Sequence, residues 1–449
     1  MTWNTNQEVK PLADISLIHI ATLSWIMQNS VKNGRFKRLL ETVFGMVSAL
    51  RVSIDAARRL QLEKQGIGAP LRRVTKERVC ETIERLGCLQ IDTINIVERA
   101  HYFTLWTRLG QYRKEDLYKL AYENRRLFEG WGHAMCYMPM RDWRYMIAAN
   151  KQRAKDAVIH KGWFSRVEPD IVDAVRKRIK TEGPLSSVNF EGNKPSSGWW
   201  GWKPAKRGLE ALFSAGELMV VRRDGFQRVY DLTERVLPSW VEISEPSEEE
   251  RVKFFATRTL GCLGATKPAD IRSYYYNWCI KLDRTVKQLQ VLLDGMVEEG
   301  VVTKLSVDGL RSPHYCLAED APRLEKFEDD WGCGNVRFVN YFDSLLWHKD
   351  RVESLFGFER ALEVYLKPKD RRFGYFTVPI LYGDKLVGRF YPKLERKEKK
   401  FIIRGLWFEE GFKPDEQFED EFKKALYDFA LFNRAENVEW RLEKAPISG

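Results

Sequence analysis

The sequence predicts an α+β protein, tandem winged-helix modules followed by a C-terminal β-barrel domain, on three observations. An order of amphipathic helix, glycine, strand, Asp-Gly and strand occurs twice, the copies about 80 residues apart, which is the outline of a repeated winged helix. From about Trp331 the texture changes to strands of alternating hydrophobicity closed by one amphipathic helix. A length of 449 residues suits roughly three or four domains whose cores need no disulfide staples.

Residues 1–48 look unlike the rest of the chain. Their apolar run from Ile15 to Met27 is too short to span a bilayer, and Met46 lies just before a helix start at Ser53, so the segment reads as an appendage or an over-long translation start. A first domain, 49–165, opens with that helix, breaks at Gly66 and Gly68, and continues with a second from Lys76 carrying Val79, Ile83 and Leu86 on one face. Gly87 stops it. The second domain, 166–245, begins where Pro169 suits a first helical turn and Ile171, Val175 and Ile179 form one stripe. A helix with Leu209, Leu212 and Phe213 ends near Gly216, and Asp224-Gly225 marks a tight hairpin.

The third domain, 246–325, repeats this order with Val286, Leu289, Leu293 and Met296, then Gly300 and a hairpin about Asp308-Gly309. The fourth, 326–449, holds strands around Val378, Leu386, Phe401 and Val438 and a helix with Phe418, Phe422, Leu426 and Phe429 on one side. It reads as a closed or half-closed barrel with one covering helix.

Charge narrows the partners. Lysine and arginine outnumber acids 74 to 63, a net +11, and the field favours a polyanion. Winged helices commonly meet duplex backbone, although some serve only to dock proteins. The seven cysteines form no C-x-x-C pair and have no histidine at zinc-ligand spacing, which predicts reduced thiols, no metal and no cofactor. The chain reads as a soluble, cytoplasmic, nucleoid-associated monomer with no membrane segment.

Gln90-Ile91-Asp92 stands out inside an apolar run. If the segment is extended, Gln90 and Asp92 share one face, and a carboxylate beside Leu89 and Ile91 is costly to bury unless it is bonded or used. It is either a satisfied structural group or a site. His133, among aromatics and a thiol, reads as a core histidine or a site residue. Trp199, Trp200 and Trp202 with Lys203, Lys206 and Arg207 combine flat apolar surface with cations, which suits base stacking and phosphate contact or fills a junction between modules. The basic runs at Arg371-Arg372 and from Lys393 to Lys400 read as solvated surface. No Walker loop, nucleophile elbow or metal-binding helix is present.

From about Ser53 onward the chain resembles the YcaQ/AlkZ family of DNA glycosylases. The resemblance rests on LQIDTINIVERAHY with LWTRLG, on the W-x-H of EGWGHAMCYMP, on SGWWGWKPAKRGLEALFSAGELMV, on FQRVYDLTERVLP, and on FGYFTVPIL with LVGR. It implies three winged-helix modules and a C-terminal β-barrel around duplex DNA. It also implies hydrolysis of the N-glycosidic bond of N7-alkylated guanine, including unhooking of interstrand crosslinks. The family's catalytic motif falls on Gln90 and Asp92. Ala134 stands where the family usually has Glu, and Phe342-Asp343-Ser344-Leu345 where it has F-D-P-V, so the start of the barrel is expected to pack differently. A non-catalytic winged-helix regulator remains the alternative; it leaves the Gln90–Asp92 pair unexplained.

Overall fold

The computed structural model describes residues 49–68, 73–158, 167–190, 204–275, 277–329, 331 and 334–442. The appendage expected over residues 1–48 lies outside them.

Most elements start and stop where local chemistry says they should. Strand β1 (Leu50–Val52) leads into the helix Ile54–Lys64, where the Ser53 hydroxyl accepts the Ala56 N–H at 3.0 Å. Thr75 caps Lys76–Leu86 in the same way, and Gly87 ends that helix at a φ of 69° that favours glycine. β2 (Leu89–Gln90) comes directly after it, and an irregular passage then leads to the helix Ala100–Leu109. β3 (Leu127–Gly132) and β4 (Ala134–Pro139) form a hairpin with only His133 between them.

Next come the helix Pro169–Glu182, β5 (Leu185–Ser186), the helix Pro204–Ser214, and the hairpin β6 (Leu218–Asp224) with β7 (Gln227–Leu232). The helices Glu248–Leu263 and Val286–Glu298 follow, then β8 (Val302–Val307) and β9 (His314–Leu317). β10 (Val336–Phe338), β11 (Val378–Tyr382), β12 (Lys385–Glu395), β13 (Lys400–Phe408), the helix Glu416–Phe432 and β14 (Asn437–Trp440) complete the described chain.

The strands form three small sheets, β2-β4-β3, β5-β7-β6 and β1-β8-β9, and one five-stranded sheet ordered β10 to β14. β1 pairs parallel with β8, far along the chain, a partnership that no local pattern announces. In the five-stranded sheet β10 and β14 remain at opposite edges, so the sheet is a half-barrel, and the closed form of the expectation does not occur among the described strands. The helix Glu416–Phe432 covers it with Phe418, Phe422, Leu426 and Phe429, as the spacing predicts.

The sheet β2-β4-β3 separates two apolar clusters. Leu89, Ile91 and Tyr137 pack in one, and Cys88, Cys136 and Met138 in the other, with Tyr274 and Trp347. That alternation positions the site.

Candidate active site

β2 joins β4 through the pairs Leu89–Tyr137 and Gln90–Cys136, and the Ile91 N–H extends the ladder by donating to the Met135 carbonyl at 2.7 Å. Gln90 therefore shares the Cys136 face, and the same alternation carries Asp92 to the level of Ala134. The sheet holds the amide and the carboxylate on one side, as the extended reading expects.

Asp92 is half-buried. One oxygen, Oδ1, accepts the Ile94 N–H at 2.8 Å, and no cation pairs with it among the described residues. Burial raises its pKa above 3.8, opposed by backbone bonds from Ile94 and Thr93. The Gln90 side chain, on a residue only 8 % exposed, makes no hydrogen bond to a described residue. A carboxylate with one oxygen anchored and no counter-cation among the described residues, beside an unbonded amide, is the arrangement of a site more than of a structural salt bridge.

The passage after Asp92 is held from two sides. The Arg396 guanidinium donates to the Asn95 carbonyl at 3.2 Å, to Asn95 Oδ1 at 2.7 Å and to the Val97 carbonyl at 2.8 Å. Arg99 lies 4.1 Å over the Phe226 ring, which Arg223 also covers at 4.5 Å. Arg223 in turn forks onto buried Glu129, at 2.7 and 2.6 Å. The half-barrel and the second hairpin thus both fix the loop that carries the carboxylate.

The other expected site residues fare differently. His133 is 3 % exposed and packs in the interior, as the core reading expects. It stacks on Trp347 at 3.8 Å with an angle of 3°, and its Nδ1 is 2.9 Å from the Tyr274 carbonyl. Burial, then His348, lowers its pKa to about 3, which keeps it neutral, and it builds the wall behind the Gln90 face. Lys206 borders a cleft of about 480 Å³ on the opposite side of the strand, with Ile91 and Thr93. Arg207 lies 3.5 Å from Glu168. Trp199, Trp200, Trp202 and Lys203 lie outside the described residues.

Among the described residues no group of three or more His, Cys, Asp or Glu side chains is placed to hold a metal ion, and no helix is long and apolar enough to cross a membrane. The run from Lys393 to Lys400 is largely neutralised, Lys393 by Glu395 at 2.7 Å and Lys400 by Glu439 at 2.9 Å. Its reading as solvated surface misses Arg396, which clamps the site loop.

Sequence reasoning also missed Tyr365. This residue is 76 % exposed; burial first and then the Asp92 carboxylate raise its pKa. An aromatic-aliphatic pair ahead of Lys367, Lys369, Arg371 and Arg372 was the available signal.

A family model described as DNA glycosylase AlkZ-like matches residues 83–432. The class of protein is thereby defined: a DNA glycosylase, which cuts a base from its sugar. The fold is similar to the solved Streptomyces sahachiroi DNA glycosylase AlkZ, with TM-score 0.58 and 15 % identity over 88 % of this chain and 100 % of that one. The chain belongs to the AlkZ-like DNA glycosylase family.

Proposed function

We propose that this glycosylase hydrolyses the N-glycosidic bond of N7-alkylated guanine in duplex DNA, including one arm of an interstrand crosslink. The observation that carries the reading is the half-buried Asp92 carboxylate, without a cation partner among the described residues, on the same sheet face as the unbonded Gln90 amide.

A guanine alkylated at N7 is already cationic. When the C1′–N9 bond breaks, its electron pair neutralises the base, so no strong general acid is required. What remains is positive charge on the sugar and a water to be held. Ionised Asp92 opposes that charge and accepts the proton from the attacking water, while Gln90 orients the water for bond formation at C1′. The anchored Oδ1 aims the second oxygen, and with no counter-cation among the described residues the negative charge stays uncompensated until the sugar supplies a positive one.

The three small sheets with their helices read as three winged-helix modules, over 49–165, 166–245 and 246–325, followed by the half-barrel over 326–449. β1 lends the third sheet its extra strand. The protein acts as a monomer on genomic DNA in the cytoplasm. Cleavage is hydrolytic: no lysine adjoins Gln90-Ile91-Asp92 in the sequence to supply a Schiff-base amine.

Incubation with duplex containing one N7-methylguanine is expected to generate an abasic site that borohydride does not trap on the protein. Asp92→Asn is expected to lower the single-turnover rate by roughly 100- to 1000-fold with duplex binding retained. Absence of abasic sites with the wild type, or full activity in the variant, would overturn the proposal.

A further inference from the structure

The half-barrel carries a loop, residues 363–374, that the chemistry above does not use. Its base is a buried glutamate. Glu363 accepts three successive backbone N–H groups, from Arg372 at 2.9 Å, Phe373 at 2.9 Å and Gly374 at 3.1 Å. Such a nest of amides around a carboxylate pins the two ends of the loop together. Gly374 has a φ of 121°, and a Cβ there would meet the Tyr391 ring at 2.8 Å, so the closing turn needs glycine. Inside the loop Arg371 donates to the Leu366 carbonyl at 3.0 and 2.8 Å and lies 4.8 Å over the Tyr375 ring. The loop is built to hold a shape.

What it holds out is apolar. Tyr365 is 76 % exposed and Leu366 43 %, and the tyrosine has neither a hydrogen bond nor a ring contact among the described residues. A rigid platform presenting an aromatic and an aliphatic side chain to water is costly without a partner to cover them. Lys367 and Lys369 come next, exposed and without an ion pair among the described residues. The loop also lies at the site. Leu362 and Tyr375, which bracket it, pack in the same apolar cluster as Ile94 and Ile96 of the passage that Asp92 begins.

We propose that Tyr365 and Leu366 form a wedge that enters the duplex beside the lesion and stacks on the exposed base, while Lys367 and Lys369 hold the flanking phosphates. The proposal deepens the glycosylase reading and rests on it for the location of the lesion. A guanine tethered to the opposite strand cannot rotate fully out of the helix, so the stack must be opened where the base lies. Inserting an apolar side chain between base steps does this, and a wedge already ordered in the free protein loses little entropy on entering.

Two measurements on the full chain test it. With duplex carrying one N7-methylguanine, Tyr365→Ala is expected to slow single-turnover excision by about 10- to 100-fold, while Tyr365→Phe and binding to undamaged duplex stay within about 2-fold of wild type. A second readout is independent of bond cleavage. On a duplex with 2-aminopurine beside an abasic-site analogue, wild-type binding is expected to change the fluorescence, and Tyr365→Ala to remove that change at an unaltered melting temperature.

If the wild type excises nothing but the fluorescence change depends on Tyr365, the reading of the substrate fails and the wedge stands. If Tyr365→Ala matches wild type in both assays, or if Tyr365→Phe loses as much as Tyr365→Ala, the wedge is overturned.

Discussion

At the scale of the residue, Asp92 serves two opposed demands. Its ionised form is what the proposed mechanism uses, and burial disfavours that form. Because the folded pKa lies above the unfolded value of 3.8, the folded chain binds the proton more tightly, and stability falls as pH rises through that interval. Asp92→Asn keeps an oxygen for the Ile94 N–H and removes the buried charge. It is therefore expected to raise the melting temperature at pH 7 while excision is lost, a trade that marks a site. In wild type, kcat/KM for excision is expected to fall on acidification with an apparent pKa above 3.8. A melting temperature lowered by the substitution, or an acid limb at or below 3.8, counts against this account of the carboxylate.

Much of this was legible before the fold: two polar residues at a spacing of two inside an apolar run already announce one face. What could not be read was the company they keep. His133 read as a core histidine before a site residue, and its stacking partner, Trp347, comes from a distant segment.

At the scale of the element, the helix Ala100–Leu109 shows how the half-barrel is joined to the rest. Its Arg108 forks onto Asp343, at 2.6 and 2.8 Å, and donates to the Gln65 carbonyl at 2.7 Å, while Ser344 Oγ donates to Gln65 Oε1 at 2.8 Å. All four residues are buried. The Ser344 hydroxyl contributes a bond that a proline ring, which the resemblance implied for this position, has no donor to make. Removing one partner of a buried pair leaves the other charge uncompensated, so Asp343→Ala is expected to cost about 3–5 kcal/mol in urea unfolding. A loss below about 1 kcal/mol would mean that the network is replaceable by solvent.

Elements were the most readable scale. Ser53, Thr75 and Pro169 start helices and Gly87 and Gly183 stop them, because capping is settled within a few residues. Even the helix Glu248–Leu263, not anticipated, carries its signal in Ser247 and the three glutamates after it, with the Ser247 hydroxyl accepting the Glu250 N–H at 3.1 Å.

At the scale of the whole molecule, the buried His101 and His133 and the half-buried His348 make the fold sensitive to acid. Burial, joined by neighbouring cations or a second histidine, lowers His101 and His133 to about 3 and His348 to about 4. Each is neutral in the folded chain and titrates near 6.5 when exposed, so below 6.5 the unfolded chain binds more protons. The stability these groups confer is complete above pH 6.5 and is lost as pH falls from there towards about 3. The melting temperature is expected to decline over that window. His101→Phe is expected to flatten the decline, since it removes a titrating ring whose Nδ1 is buried without a partner among the described residues and keeps the tilted and edge-on ring contacts with Tyr102 and Tyr137. An unchanged slope in that variant would assign the acid sensitivity to other groups.

By itself the sequence determined that Gln90 and Asp92 share one face, the repeated order of helix, glycine and hairpin, and the resemblance that implied a glycosylase. Each of these is written in spacings of a few residues or in blocks of matched text. Tertiary structure decided what lies around the pair. It brought β1 to β8, Arg396 to Asn95 and the Tyr365 loop to the passage after Asp92. Contacts between residues hundreds of positions apart depend on how apolar faces cover one another, and period and propensity carry no record of that choice.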